Sequence, residues 1–418
     1  MVTRRYFVRN SALAMVGVGA VPGWLARALA AGDASKRRKK TLVAIFQRGA
    51  SDGLNVVVPF AEKRYYEMRP NIAIPAPSRS AEGREDRAID LDGFFGLHPS
   101  LAPLHPLYQS GALAIIQAVG SPDPTRSHFD AQDYMESGTP GLKATRGGWM
   151  NRALKSGGEL SPLRALALGA ALPRTLRGIH PAVAIQDLSE FGVRDAAASG
   201  AFESMYVRTP DSMMHGAGKE TFEAVQLVKS IQKQPYTPAG GARYPRGRFG
   251  DSLQQIARLI KADVGVEVAF SDIGGWDHHV NEVGARASQG PLANLLTDYG
   301  QTLAAFCQDL GDRLADVALV TMSEFGRTAN ENGNRGTDHG HGNLMFVLGG
   351  NVRGGKVYGE WPGLDREQLW EARDLNLTTD FRDVLAELVQ DHLGNRDLKS
   401  VFPNHTADPA KFRRFLKA

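Results

Sequence analysis

Thr41-Leu42-Val43-Ala44-Ile45-Phe46 runs directly into Gln47-Arg48-Gly49-Ala50-Ser51-Asp52-Gly53. A short, nearly unbroken apolar run predicts a strand covered on both faces, and the glycine-punctuated turn marks where its carboxyl end opens into a loop. The same signature recurs at Leu113–Val119, Val266–Phe270, Val317–Met322 and Leu344–Leu348. Amphipathic patterns lie between these runs, at Ser127–Ser137, Gly148–Ser156, Lys219–Gln232, Phe249–Lys261, Leu292–Leu314 and Thr379–Leu393. Strands alternating with helices predict an α/β fold, three layers deep, in which helices cover both faces of one large, mostly parallel sheet. No internal repeat or long linker divides the body, so residues 41–418 read as one domain.

The chain has 418 residues, with 49 Lys and Arg against 45 Asp and Glu, a formal charge of +4. Nine of the basic residues and only one acid, Asp33, fall within residues 1–40. Residues 41–418 therefore carry 40 basic and 44 acidic residues, and a nucleic-acid-binding body is disfavoured. The basic end itself reads as an export address. Arg4-Arg5 precedes the apolar run Ser11–Ala20 and the small residues Ala28-Leu29-Ala30, the pattern of a cleavable twin-arginine signal peptide over residues 1–31. Pro22, Gly23 and Arg27 interrupt that stretch too early for a stable membrane span. Residues 32–40 read as a basic linker. The expected partner is the twin-arginine translocase, and the expected destination is the periplasm or another exported location. With a single cysteine, Cys307, the chain forms no internal disulfide and no cysteine-based metal site.

In open parallel sheets ligands collect beyond the carboxyl ends of the strands. Four polar clusters stand next to the ends of the expected strands. After Val266–Phe270 comes Ser271-Asp272-Ile273-Gly274-Gly275-Trp276-Asp277-His278-His279. In an extended segment Asp277 and His279 point alike and His278 points away. Asp and His suit divalent ions, although a hydrogen-bonded turn would also account for them. After Val317–Met322 comes Ser323-Glu324-Phe325-Gly326-Arg327-Thr328, where Glu324 and Arg327 suit either metal and anion contacts or a supporting ion pair. Before Leu344–Leu348 lies Asp338-His339-Gly340-His341-Gly342, with His339 and His341 expected on one side. The fourth cluster, Thr125-Arg126-Ser127-His128, opens a helix, where Ser127 serves either as a nucleophile or simply as an N-cap. Asp52 sits at the same sheet edge. His98, in Gly96-Leu97-His98-Pro99, reads as a ligand or a cap. No Gly-Lys-Ser/Thr phosphate loop is present.

Taken in order, the leader, Arg48–Gly53, Gly96–Pro99, Ser127–Asp130, Gly274–His279, Ser323–Thr328 and Asp338–Gly342 resemble a bacterial family catalogued as domain of unknown function 1501. That family looks distantly related to the alkaline phosphatase and sulfatase superfamily. The resemblance implies an alkaline-phosphatase-like fold and a site at the strand ends for one or two divalent metals (zinc, calcium or magnesium). It also implies hydrolysis of a phosphate or sulfate ester, on a small molecule or a polymer, by a hydroxyl nucleophile at a helix N-terminus. Ser127 or Thr125 matches that nucleophile, with His128, Arg126 or Arg327 assisting. Asp277, His279 and His341 match one metal's ligands, and Glu324, Asp338, His339 and Asp52 are the remaining candidates. Gln47-Arg48 and Glu324-Phe325 stand where the superfamily places the second metal's ligands, and the sulfatase maturation motif is absent. The alternative is an exported binding or assembly protein that keeps the fold with a degenerate metal site.

Overall fold

The computed structural model describes residues 39–78, 83–156, 161–191 and 223–417. The leader expected over residues 1–31 lies outside them. Among the described residues nine strands form the main sheet. They are β1 (Thr41–Gln47), β2 (Leu113–Gly120), β3 (Ala165–Leu168), β4 (Val183–Ile185), β5 (Val268–Ile273), β6 (Val317–Ser323), β7 (Asn343–Gly349), β8 (Lys356–Tyr358) and β9 (Thr379–Asp380). Their spatial order is β8-β2-β7-β6-β1-β5-β3-β4, with β9 also on β2. β7 runs antiparallel to both its neighbours, and every other pairing is parallel. A small three-stranded sheet of Val57–Val58, Ile89–Asp90 and Gly96–Leu97 lies apart.

β1 is buried along its whole length and feeds two cores. Val43 and Ile45 pack with residues of α2 (Arg248–Lys261) and α3 (Pro291–Leu310). Leu42, Ala44 and Phe46 pack on the opposite face with Trp149, Phe381 and Val384, the last two from α4 (Phe381–Glu387). Side chains alternate across a strand, so an unbroken apolar run needs a covering layer on each side, and here both are present. The mostly parallel α/β sheet read from the sequence is therefore found, with strand limits differing by one to three residues. The short strands β3, β4, β8 and β9 were not legible because two to four residues carry too little periodicity. The expected helix over Lys219–Gln232 begins outside the described residues and is helical from 223 to 232. Among the described residues no helix is long and apolar enough to cross a membrane.

Candidate metal centre

Strand direction brings the polar clusters together. β1 lies between β5 and β6 with Gln47 level with Ile273 and Ser323, so all three strands end at one edge. The antiparallel β7 starts at that edge, which carries the preceding Asp338–Gly342 segment there. β2 ends there too, and leads through Thr125 and Arg126 into α1 (His128–Ser137). Ser127 is the N-cap of α1; its Oγ accepts from the Asp130 N–H, and Gly138 closes the helix in the left-handed region. Glycine permits the closest approaches. A Cβ on Gly49, whose φ is +114°, would lie 2.8 Å from the Asp277 nitrogen. One on Gly340 would lie 2.3 Å from the Arg327 backbone, where Arg327 and His339 form an antiparallel bridge.

Asp277 Oδ1 is the hub. It lies 2.9 Å from His279 Nε2, 3.3 Å from His339 Nε2 and 3.5 Å from His128 Nε2. The Nε2 atoms of His279 and His339 face each other at 3.1 Å. A tetrahedral ion with bonds of about 2.0–2.1 Å has ligand–ligand edges of about 3.3 Å, so these separations suit a common ligand shell. His128, Asp277 and His339 each offer an atom within 4.8 Å of the others and are placed so that they could hold a divalent metal.

The other ring nitrogens are all tied down. His128 Nδ1 meets Glu324 Oε1 at 2.8 Å, His339 Nδ1 meets the Arg126 carbonyl at 2.9 Å, and His279 Nδ1 meets Asp338 Oδ1 at 3.0 Å. Each partner is an acceptor, so Nδ1 can donate to it, and an ion at the hub would then meet the Nε2 lone pairs. His128 Nε2 is buried with no hydrogen-bond partner.

Charge acts on each group by a nameable route. The Glu324 hydrogen bond raises the His128 imidazole above its usual range, with burial opposing it. For Asp277, burial pushes upward but the hydrogen bond and charge of Arg327 outweigh it, and the carboxyl is held low. Burial likewise opposes ionisation of Glu324, and donation from His128, Gln132 and the Gly49 N–H more than offsets it. His339 is lowered by burial. Arg327 is buried and donates to the carbonyls of Gly49, Ala50, Trp276 and Thr337, as well as to Asp277 Oδ1 at 2.6 Å.

Other sequence candidates fall outside this shell. His341 does not join His339: its ring stacks on Trp370 at 4.8 Å between centroids. The strict alternation expected there breaks because Gly340 and Gly342 let the chain bend between Gly326 and Leu375. Asp52 is buried in an ion pair with Arg69, its Oδ1 3.0 Å from Nη2. Arg126 donates to Glu371 and Asp374, at 2.6 and 2.8 Å. The Thr125 hydroxyl accepts from the Ser127 N–H at 3.3 Å. Glu324 and Asp338 hold rings rather than entering the shell. His98 accepts from the Ser100 N–H through Nδ1, the capping alternative. Glu282 and Arg69 carry no motif and were not singled out from the sequence; only the fold places them beside Asp52.

No curated protein matches the sequence. Among solved structures the chain is similar to the C-terminal periplasmic domain of EcEptC from Escherichia coli in complex with Zn, at 9% identity and TM-score 0.33, over 75% of this chain and 74% of that one. It is also similar to the PsFucS1 sulfatase from Pseudoalteromonas sp., at 12% identity and TM-score 0.40, over 90% of this chain and 71% of that one. A family model described as protein of unknown function (DUF1501) matches residues 39–401, and the chain belongs to that family.

Proposed function

We propose that the chain is an exported, metal-dependent hydrolase of phosphate or sulfate esters. The observation that carries this reading is the convergence of three imidazole Nε2 atoms on one carboxylate oxygen, with each Nδ1 beside an acceptor. A donor set dominated by imidazole suits zinc better than calcium or magnesium. When bound, the metal would polarise an ester oxygen and lower the pKa of a hydroxyl. His128, His339 and Asp277 would hold it, with His279 beside them. Glu324, Asp338 and the Arg126 carbonyl would keep the rings in register. Ser127 would supply the nucleophile from the N-cap, next to His128, where the free N–H groups of α1 favour an anion. Asp52 is committed to Arg69, so the reading is for one metal rather than two. Residues 1–31 would direct export through the twin-arginine translocase, with 41–418 as the single exported domain.

One observation favours the second reading, an exported binding or assembly protein. The Arg327 guanidinium already donates to the hub carboxylate and supplies an internal cation. Metal analysis of the purified chain, with turnover of 4-nitrophenyl phosphate and sulfate, separates the two. The hydrolase reading expects bound zinc, loss of zinc and turnover in His339→Ala, and loss of turnover with retained zinc in Ser127→Ala. A metal-free, inactive protein indifferent to His339→Ala leaves the second reading.

A further inference from the structure

A cleft of about 480 Å³ opens beside the metal centre at the same sheet edge. That volume lies within the usual range of small-molecule sites, about 300–1,000 Å³. α1 connects the two. His128 holds its first position, Gln132 and Glu136 follow at intervals of four residues, and both line the cleft. At 1.5 Å rise per residue they stand about 6 and 12 Å along the helix from His128. Gln132 also donates to Glu324 at 2.9 Å, the carboxylate that anchors the His128 ring.

Four arginines (Arg48, Arg174, Arg177, Arg248) and three carboxylates (Asp133, Glu136, Asp272) line the cleft; all but Arg177, which donates to the Leu172 carbonyl, pair with an opposite charge. Arg48 donates to Asp272 at 2.7 Å, to Gln132 at 2.8 Å and to Glu136 at 2.9 Å. Arg248 donates to the other Asp272 oxygen at 2.6 Å. Pairing fixes these groups in space, while each carboxylate oxygen keeps a further lone pair and Arg248 keeps free N–H groups. At the mouth stands Phe129, 89% exposed, adjacent in sequence to His128 and covering nothing in this chain. A polyanion would meet Asp272 and Glu136, and an apolar ligand would dehydrate the forks without replacing their bonds. A neutral group with several neighbouring hydroxyls both donates to and accepts from such forks, and its C–H face can lie on an aromatic ring.

From this we infer that the cleft binds a sugar, the alcohol part of the ester whose anionic part would sit at the metal. The inference rests on the hydrolase reading for its ester and on the cleft alone for its sugar. The full chain, before and after chelation, is titrated with glucose, galactose, mannose, xylose and N-acetylglucosamine and followed by saturation-transfer NMR. At least one free sugar binds, binding survives chelation, and Phe129→Ala and Arg248→Ala each weaken it at least tenfold. Both side chains are exposed, so their unfolding midpoints stay at the wild-type value and check that the fold is intact. If no sugar binds, if chelation abolishes binding, or if either variant weakens it less than tenfold, the inference is overturned. Failure of the hydrolase reading has a different signature: sugar binding persists in a chain without zinc or ester turnover. Failure of the sugar inference alone leaves zinc and 4-nitrophenyl ester turnover in place.

Discussion

The segment Asp277-His278-His279 lies between two polar clusters of similar composition and opposite character. On one side Asp277, 46% exposed at its side chain, has the Nε2 atoms of three imidazoles 2.9–3.5 Å from its Oδ1. On the other, His278 turns inward to 8% exposure, within electrostatic reach of Asp52 and in a region that also holds Arg69, Glu282 and His98. In this sealed cluster Asp52 and Arg69 pair with each other, while His98 Nε2, His278 Nδ1 and Glu282 Oε1 are buried without a hydrogen-bond partner. Arg69 donates to Asp52, Asn55 and the carbonyls of Thr328 and Ala329. Burial, and then the charge of Asp52, pushes the Glu282 carboxyl well above the carboxylate range, while Thr337 donates to its other oxygen. Burial pushes His98 down to about 3 and His278 down to about 4, so both rings stay neutral. Histidine and aspartate thus meet at an open edge on one side of this segment and lie sealed in the core on the other.

The largest test of that contrast is stability. Asp52→Ala strands the Arg69 guanidinium in the core and should lower the unfolding free energy by about 3–5 kcal/mol in denaturant titrations. Asp277→Ala should lower it by less than about 1 kcal/mol, since Arg327 keeps four carbonyl acceptors. Equal losses would erase the distinction. Next comes metal affinity. Glu324→Gln keeps the shape but loses the charge that fixes His128, and zinc competition titrations should show affinity falling by about 10–100-fold.

Acid should move the two clusters in opposite directions in the metal-free chain. His98 has a folded pKa below its unfolded value near 6.5, so its contribution is complete above that pH and is lost as pH falls toward about 3. His128 has a raised folded pKa, so its contribution is complete below about 6.5 and is lost as pH rises through the raised value. Between pH 7 and 5.5 the His98 effect should amount to about 1 kcal/mol. Unfolding midpoints across that interval should flatten in His98→Gln and steepen in His128→Gln. The smallest change is expected at the rim. Asp338 is exposed beside His279, and Asp338→Asn should weaken zinc by less than about tenfold.

Much of this contrast could be read from residue order. The long strands declared themselves as unbroken apolar runs, and the alternation rule sent Asp277 and His279 one way and His278 the other. Ring tautomers were not legible, because they depend on Glu324, Asp338 and the Arg126 carbonyl, which lie 196, 59 and 213 residues from the nitrogens that they fix. Asp52 looked like a ligand at a strand end. Its commitment to Arg69 depends on how the segment from 53 to 69 folds back, which no local pattern reports. His341 failed because two glycines broke the period on which its placement depended.

The position of β1 also governs how the molecule comes into being. The first strand of the sheet to be made is a central one, and its contacts reach 225 residues forward to Val266 and 276 to Ser323. At a synthesis rate of about 5–20 residues per second, β1 waits roughly 15–55 s for the second of these neighbours. Such distant pairings close slowly, after a large loss of chain entropy. Until then a mostly apolar strand lies unpaired in the growing chain, and the edge where Asp277 meets His128, His279 and His339 cannot assemble before residue 339 has been made.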